Sequence, residues 1–326
     1  LKLGNYQIEE ISAPFGYVVN KEPIKFAVDS DTPYETDSDT YDVIITEDCF
    51  DAPAVGELTV EKRGEVLVDY KGSLFADEEK KEFIYKEAGL AGAKFEVYAA
   101  EDIFTADNQK DENGNRTKYY SNGDLVTTLT TDKEGKAVAK NLPLGKYKVV
   151  EVQAPDGFVL NSEEQFVTFT YVDDQTPVIK ESLTFKNERQ KVDLSVDKID
   201  KETEKPIAGA EFGLYAANDI VNADGKIVVE KDTMLERAVS ETDGKVAFVK
   251  DYPLGSYYAK ELKAPAGFVS SDEIITFDAK YQGQDVKCVT LSSVFKNTPT
   301  TFEFTKTDIT SGAELTGATL TVLDSP

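Results

Sequence analysis

Polar side chains recur at positions where the surrounding sequence predicts apolar ones. Short segments of this chain alternate apolar and polar residues, which is the pattern of a β-strand with one buried face. Two sets of segments each place one lysine, one glutamate and one asparagine on that face: Lys62, Glu151 and Asn187, then Lys198, Glu261 and Asn297. The interval from glutamate to asparagine is 36 residues in both sets. Burying a lone charge is costly, so such residues are normally paired, protonated or functional.

Burial would give these three side chains a specific chemistry. It lowers the pKa of a lysine amine and raises that of a glutamic acid, because the charged forms are disfavoured away from water. A neutral amine can attack the asparagine side-chain carbonyl while the glutamate carries protons, which would release ammonia and leave an amide. The alternative is structural: a Lys–Glu ion pair beside an asparagine that bonds to the backbone, although desolvation often cancels the attraction in such a pair.

The glutamate lies in a motif that occurs three times. The segments are LGNYQIEEISAPFGY from Leu3, LGKYKVVEVQAPDGF from Leu144 and LGSYYAKELKAPAGF from Leu254. Each predicts a strand that leads into a Pro-x-Gly turn, and the flanking landmarks recur in the same order. The chain is therefore expected to be an array of one domain type.

The repeats divide the chain into four parts. We expect the C-terminal part of one domain at 1–55, complete domains at 56–189 and 190–298, and the N-terminal part of a further domain at 299–326. This division predicts a segment of a longer protein, whose adjacent domains are the expected partners. Connections of only a few residues between complete repeats restrict bending and favour a semi-rigid rod.

The first complete repeat carries an insertion. Lys62 is thirty positions before the Gly-Ala pair that begins at Gly92, whereas Lys198 is eleven positions before the corresponding pair at Gly209. The first complete repeat therefore has about nineteen additional residues. They lie near 63–88, are rich in charges and are a candidate for a short helix. Arg63 and Gly64, which follow Lys62, predict a weakened strand end.

The composition excludes several classes of partner. The formal net charge is −25 with no histidine, and a surface of that sign repels nucleic acid and anionic membranes. No apolar run reaches the length of a membrane-spanning helix, so we expect no membrane insertion in this segment. Cys49 and Cys288 lie in different repeats, so we expect two small buried side chains rather than a disulfide.

Neither a metal nor a cofactor is expected. The acidic loops lack the regular ligand spacing of a cation site. One loop alternates Asp111, Asn113 and Asn115, like part of a calcium loop, but the closing glutamate is missing at the expected offset. A hairpin turn is therefore favoured there.

The strands and turns predict an all-β fold of tandem sandwiches. Three motifs add a resemblance to a known family: E-x-x-A-P-x-G-[YF], an opening V-x-K-x-D strand that is clearest in VDKID, and a closing F-K-N. Together they resemble the Cna B-type or SpaA-like domains of Gram-positive surface adhesins and pilins, over nearly the whole chain. The resemblance implies prealbumin-like, inverse Ig-like β-sandwiches.

The resemblance also implies an autocatalytic Lys–Asn isopeptide bond in each complete domain. The implied sets are Lys62 with Asn187, assisted by Glu151, and Lys198 with Asn297, assisted by Glu261.

The partial repeats depart from this pattern. Glu10 is present in the first, but the position 36 residues later is Thr46 rather than an asparagine. Asp48 is a candidate replacement, yet it alternates out of phase with Val43, and its lysine partner would precede residue 1. Lys306 takes the lysine position in the last repeat.

These features favour a structural protein over an enzyme. A bond between the first and last strands would carry tension past a domain without unfolding it. We expect the self-cross-linked stalk of an extracellular adhesin or pilin-like protein, anchored to the cell wall of a Gram-positive bacterium. The alternative is a binding module whose acidic loops and insertion contact a host surface protein or glycan. Turnover of an external substrate would require an unrepeated pocket with perturbed acids.

Overall fold

The regular structure that can be described in this protein consists of β-strands. The computed structural model describes residues 1–32, 34–36, 43–44, 46–72, 81–107, 109–319 and 321. Within them the strands form two consecutive β-sandwiches with shorter pieces at either end, in agreement with the all-β prediction. In the same residues, no helix has the length and apolarity needed to span a bilayer. The division of the chain at residues 56, 190 and 299 stays a prediction.

The first sandwich comprises strands β7 to β16. These are β7 (Val55–Lys71), β8 (Glu82–Gly89), β9 (Lys94–Ala99), β10 (Ile103–Phe104), β11 (Lys118–Tyr120), β12 (Leu125–Thr130), β13 (Lys136–Leu142), β14 (Gly145–Gln153), β15 (Gln165–Phe169) and β16 (Val178–Asn187). One sheet has the order β13-β7-β16, with β8 paired to the far half of β7, and the facing sheet has the order β12-β9-β14-β15. Inward residues of both sheets, such as Val60, Phe95 and Tyr147, form its core.

The second sandwich comprises strands β17 to β25. These are β17 (Lys191–Asp200), β18 (Glu211–Ala216), β19 (Ile220–Val221), β20 (Ile227–Val229), β21 (Met234–Val239), β22 (Lys245–Phe248), β23 (Gly255–Lys263), β24 (Ile274–Ala279) and β25 (Cys288–Asn297). Its sheets have the orders β22-β17-β25 and β21-β18-β23-β24, which match the first sandwich except that β8 has no counterpart.

The first and last strands of each sandwich are parallel neighbours. Lys62 on β7 faces Phe185 on β16, two residues before Asn187. Lys198 on β17 faces Phe295 on β25 in the same register, two residues before the asparagine. Residues two apart on a strand point to the same face, so each asparagine side chain lies next to the lysine and on the core side.

The insertion forms a β-hairpin in its described part. Strand β7 continues through Gly64 to Lys71 and pairs antiparallel with β8, whereas we expected a weakened strand end and considered a short helix. Residues 73–80 of the insertion lie outside the described residues. A Cβ on Gly64 would come within 2.9 Å of the backbone oxygen of Asn187, so glycine permits a close approach of two strands here rather than ending one.

The two ends of the chain have less regular structure. The N-terminal strands are β1 (Gly4–Ile8), β2 (Tyr17–Val18), β3 (Ile24–Val28), β4 (Glu35–Thr36), β5 (Val43–Ile44) and β6 (Ala52–Pro53), which form two-stranded sheets. The expected opening strand near Lys306 does not form in the described residues, and Phe302 and Phe304 are exposed. A strand needs a neighbour for its backbone hydrogen bonds, and the described part of the chain provides none beside this segment.

Two smaller expectations have different outcomes. Cys49 and Cys288 are both exposed, so the prediction that they are buried was wrong; Cys49 lies in an irregular segment and Cys288 begins β25. The loop at Asp111 is a turn, in which the carboxylate accepts the backbone N–H groups of Asn113 and Asn115. No cluster of metal-ligating side chains occurs among the residues that the structure describes.

Candidate cross-linking site

The first sandwich brings its lysine, glutamate and asparagine into direct contact. Lys62 comes from β7, Glu151 from β14 in the opposite sheet, and Asn187 from the end of β16, and all three are buried. Each continues the inward-facing set of its own strand. A charged or polar residue therefore takes the place at which the next core residue would lie.

One carboxylate oxygen connects the other two groups. Glu151 Oε1 lies 2.9 Å from Lys62 Nζ and accepts a hydrogen bond of 2.9 Å from Asn187 Nδ2. Lys62 Nζ donates to Asn187 Oδ1 in turn. The carboxylate thus touches both the amine and the amide nitrogen, and the amine lies against the carbonyl group of the same amide.

The surroundings of the amine are apolar. Lys62 Nζ lies 5.7 Å from the ring centroid of Phe95 and 6.0 Å from that of Phe185. Desolvation lowers the pKa of Lys62, although the hydrogen bond to Glu151 works in the opposite direction. This environment favours the neutral amine, which is the nucleophilic form.

The second sandwich assembles the same groups with the lysine turned away. Asn297 Nδ2 donates to Glu261 Oε2 at 3.0 Å, but Lys198 Nζ donates to the backbone oxygen of Ile199 at 3.3 Å. Two buried oxygens, Glu261 Oε1 and Asn297 Oδ1, have no hydrogen-bond partner among the residues that the structure describes. The corresponding oxygens in the first sandwich are those that contact the lysine amine.

Desolvation also lowers the pKa of Lys198. The charges of Glu261 and Asp200 oppose this shift. Lys198 Nζ lies 5.8 Å from the ring centroid of Phe295, the residue that corresponds to Phe185. The amine therefore has the same kind of apolar environment in both sandwiches, and the two sites differ in the direction of the lysine side chain.

The glutamate makes one further contact that all three repeats share. Its Oε2 accepts the backbone N–H ten residues later, in the pairs Glu10 with Asn20, Glu151 with Asn161, and Glu261 with Ser271. In the described residues, Glu10 makes this backbone contact without a lysine amine or an asparagine side-chain amide bonded to its carboxylate. The glutamate therefore also holds the segment after the Pro-x-Gly turn, whatever its chemistry.

The remaining candidates are not brought together. Asp48 is exposed in an irregular segment, and no contact joins it to Glu10 in the part of the chain that the structure describes. Lys306 is exposed and lies outside any strand. Neither partial repeat contains an assembled triad within the described residues.

The sequence did not reveal that the A-P-x-G turn also forms a joint between repeats. The backbone N–H of Ala13 donates to Asp174 Oδ2 at 3.2 Å, and that of Ala154 donates to Gln284 Oε1 at 2.9 Å. Asp174 and Gln284 occupy the same place in their repeats, three residues after a tyrosine. That correspondence was the available signal, but the interval itself predicts no contact.

The glycine of the turn contributes to the same joint. Gly16 and Gly157 have φ angles of 90° and 89°, which favour glycine, and their carbonyls accept the N–H groups of Ala54 at 2.9 Å and Gln190 at 2.8 Å. The first joint lies between the N-terminal piece and the first sandwich, and the second joint lies between the two sandwiches. Both joints use the same backbone hydrogen bonds.

Comparison with known proteins identifies relatives. A curated relative, the trypsin-resistant surface T6 protein of Streptococcus pyogenes serotype M6, is 35% identical over 69 residues, which are 21% of this chain and 12% of that protein. The solved structure of the Bacillus anthracis TIE protein matches 91% of this chain and 42% of its own with 26% identity and a TM-score of 0.51. A streptococcal ancillary pilin matches 92% of this chain and 76% of its own with 20% identity and a TM-score of 0.29.

The chain thus spans less than half the length of the T6 and TIE proteins. The family model described as the SpaA prealbumin-like fold domain matches residues 1–47, 79–184 and 192–292, which together are most of the chain. These three matches correspond to the N-terminal piece and to the two sandwiches. The chain therefore belongs to the SpaA family of prealbumin-like fold domains.

Proposed function

We propose that this chain is a self-cross-linked stalk or repeat segment of a cell-surface adhesin or pilin-like protein in a Gram-positive bacterium. The observation that carries the proposal is the buried contact of Lys62, Glu151 and Asn187 between the first and last strands of the first sandwich. Membership of the SpaA family and the name of the T6 surface protein support a location at the cell surface, and we propose anchoring to the cell wall.

The reaction would be a single transamidation within each sandwich. The neutral amine of Lys62 attacks Cγ of Asn187, and Glu151 Oε1, which touches both nitrogens, takes a proton from the amine and passes it to Nδ2. The Cγ–Nδ2 bond then breaks, ammonia leaves, and a new amide joins Nζ to Cγ. The carboxylate ends in its starting state, so the reaction needs no cofactor and occurs once per site.

The second sandwich would form the same bond after one side-chain rotation. Lys198 Nζ would leave the backbone oxygen of Ile199 and contact Glu261 Oε1 and Asn297 Oδ1, the two oxygens that have no partner. An unpartnered buried oxygen costs about 1–3 kcal/mol, so this rotation is favoured by the groups that it satisfies.

The cross-links suit a segment under tension. In the first sandwich, force would enter β7, cross from Lys62 to Asn187 and leave through the link to β17. The 124 residues between them are bypassed, because the covalent path does not include them. The sandwich therefore does not have to unfold when the chain is stretched.

The intact mass of the purified and denatured chain tests the proposal. A deficit of two ammonia equivalents from the mass calculated from sequence is expected, with peptides joined at Lys62–Asn187 and Lys198–Asn297. A deficit of one equivalent, mapped to the first sandwich, would restrict the reaction to the assembled triad. An unchanged mass would mean that the triads are buried polar networks only.

The alternative function, a binding module for a host protein or glycan, has less support. It would be favoured by an exposed aromatic patch on the insertion, but Tyr70 and Phe83 of the insertion are buried. An open cavity of about 510 Å³ at the first joint includes Asp102, whose pKa is lowered chiefly by its hydrogen bond to Lys118. A carboxyl group shifted in that direction is a poor proton donor.

A further inference from the structure

The hairpin of the first sandwich packs into the core of the second. It consists of residues 63–71 of β7 and strand β8, and we call this pair of strands the brace. Its buried side chains Leu67, Tyr70 and Phe83 belong to the same hydrophobic cluster as Leu235 and Tyr252 of the second sandwich. These three side chains are therefore covered by the neighbouring repeat rather than by their own.

Aromatic rings continue from the brace into the second sandwich. The ring centroids of Tyr70 and Phe83 are 4.7 Å apart, and that of Phe83 lies 6.0 Å from Tyr252 in an edge-on arrangement. Tyr252 in turn lies 5.5 Å from Tyr257, which is on the central strand β23. These spacings are those of packed aromatic pairs, so the contact resembles the interior of one domain.

Polar contacts fix the brace at its edges. The brace accepts two hydrogen bonds from the second sandwich: Ala223 N donates to Leu67 O at 3.0 Å, and Asn222 Nδ2 donates to Val68 O at 3.1 Å. It donates one, from Tyr85 Oη to Asp251 O at 2.9 Å. These bonds have specific donors and acceptors. They set the position of the brace, whereas the apolar contacts bury surface between the brace and the second sandwich.

A buried arginine completes the contact. Arg189, in the link between the two sandwiches, stacks 3.7 Å from the ring centroid of Tyr85 and forms an ion pair with Asp251. Burial raises the pKa of Asp251, but Arg189 and Lys191 outweigh it and hold that pKa below its ordinary value. The link, the brace and the second sandwich thus share one charged cluster.

At the first joint, the corresponding surface of the first sandwich carries no brace among the described residues. The segment AEDIFTA of the first sandwich corresponds to ANDIVNA of the second, so residues 104–106 correspond to 221–223. Residues 104–106 line the cavity of about 510 Å³, and no brace covers them in the described residues. The backbone hydrogen bonds of the joint are therefore present at both joints, and the brace adds a further contact at the second joint.

We propose that the brace is an inter-domain docking element, and that the apolar end of the second sandwich is its binding site. The brace holds the two sandwiches in one orientation and completes the hydrophobic core of the second. This role does not depend on the cross-links, because the brace starts after Lys62 and its contacts are non-covalent.

Distance measurements test the orientation. We would attach spin labels at Asn122→Cys in the first sandwich and Thr242→Cys in the second, in a full chain that carries Cys49→Ser and Cys288→Ser. A narrow distance distribution is expected, and it should broaden at least twofold when Tyr70→Ala and Phe83→Ala are combined. The control Phe166→Ala removes a half-exposed phenylalanine elsewhere on the first sandwich and should leave the distribution narrow.

A second variant covers the case in which the double substitution impairs folding. Residues 66–86 are replaced by Asn-Gly, which closes the hairpin where Glu65 pairs with Glu87. Hydrogen exchange of the Ala223 amide, which donates to Leu67 O, should accelerate at least tenfold, while the Lys198 amide, bonded to Gly244 O, stays protected. Unchanged exchange at Ala223, or unchanged distances in both variants, would overturn the proposal; the mass deficit reports separately on the cross-links.

Discussion

Replacing Glu151 by glutamine separates the chemistry of the first sandwich from its packing. Glutamine keeps the shape of the side chain and an oxygen for the N–H of Asn161, but it lacks the charge and cannot relay a proton from Lys62 to Asn187. We expect Glu151→Gln to abolish the bond in the first sandwich and to leave the second intact. The mass deficit should therefore fall from two ammonia equivalents to one.

The loss of stability follows from the size of the loop that the bond closes. Lys62 and Asn187 are 125 positions apart, and closing a loop of this length lowers the entropy of the unfolded chain by an amount worth about 5 kcal/mol. For a domain of this size that corresponds to a decrease in Tm of roughly 10–25 °C. Lys62→Met, which removes the amine, should give a decrease at least as large, because it also leaves the buried Glu151 side chain without its partner.

Calorimetry and intact mass on the same samples form the assay. The control is Glu61→Gln, one residue before Lys62, because Glu61 pairs with Lys136 at 3.3 Å on the outer face of β7. It should keep both bonds and change stability by at most about 0.5 kcal/mol. A bond that persists in Glu151→Gln would remove the glutamate from the mechanism. A lost bond with Tm lowered by only a few degrees would refute the loop argument.

Further predictions concern three single sites. The chain can be recovered unfolded in urea and diluted into buffers of different pH to measure the rate of bond formation at Lys62. This rate should rise with pH and level off below the ordinary lysine pKa of about 10.5, because the pKa of Lys62 is lowered. A rate that continues to rise past that value would contradict the shift. Between the lowered pKa of Lys62 in the folded chain and its ordinary pKa, the unfolded chain binds one more proton than the folded chain. The free energy of unfolding of the un-cross-linked sandwich should therefore increase as pH rises through this range. Phe83→Ala should cost about 3–5 kcal/mol, detected by calorimetry in the transition of the second sandwich, and an effect confined to the first would contradict the packing. Gly64→Ala should cost about 1–3 kcal/mol in chemical denaturation, because its methyl group would meet the backbone oxygen of Asn187; a neutral result would show that the strands can separate there.

The sequence was most informative in the repeated segments whose residues alternate with the two-residue period of a β-strand. Alternation alone placed Lys62 and Asn187 on one face, because a strand turns every second side chain to the same side. The structure adds the parallel pairing of β7 with β16, and its register brings the two residues together. Fold class and inward residues could therefore be predicted before any coordinates.

Contacts that depend on the neighbouring repeat could not be predicted in this way. The insertion was rich in charges and suggested a helix, yet Tyr70 and Phe83 find their partners across a domain boundary, which periodicity within one repeat does not reveal. The Lys198 side chain can point either to the backbone oxygen of Ile199 or to the oxygens of Glu261 and Asn297, depending on its rotamer. The sequence does not distinguish these two rotamers. The prediction that Cys288 is buried was wrong for a different reason: Cys288 is out of phase with the inward-facing Phe295 and Asn297, so alternation along β25 already assigns it to the outer face.

The brace has a consequence for how such arrays can evolve. A repeat that closes on itself can be duplicated, deleted or exchanged alone, but the first sandwich leaves Leu67, Tyr70 and Phe83 without cover when its neighbour is removed. Exposed apolar clusters of this kind promote aggregation, so we expect recombination between these two sandwiches to be disfavoured. We therefore expect the two sandwiches to be inherited together as a pair. Their order is fixed because the brace of the first packs against the second.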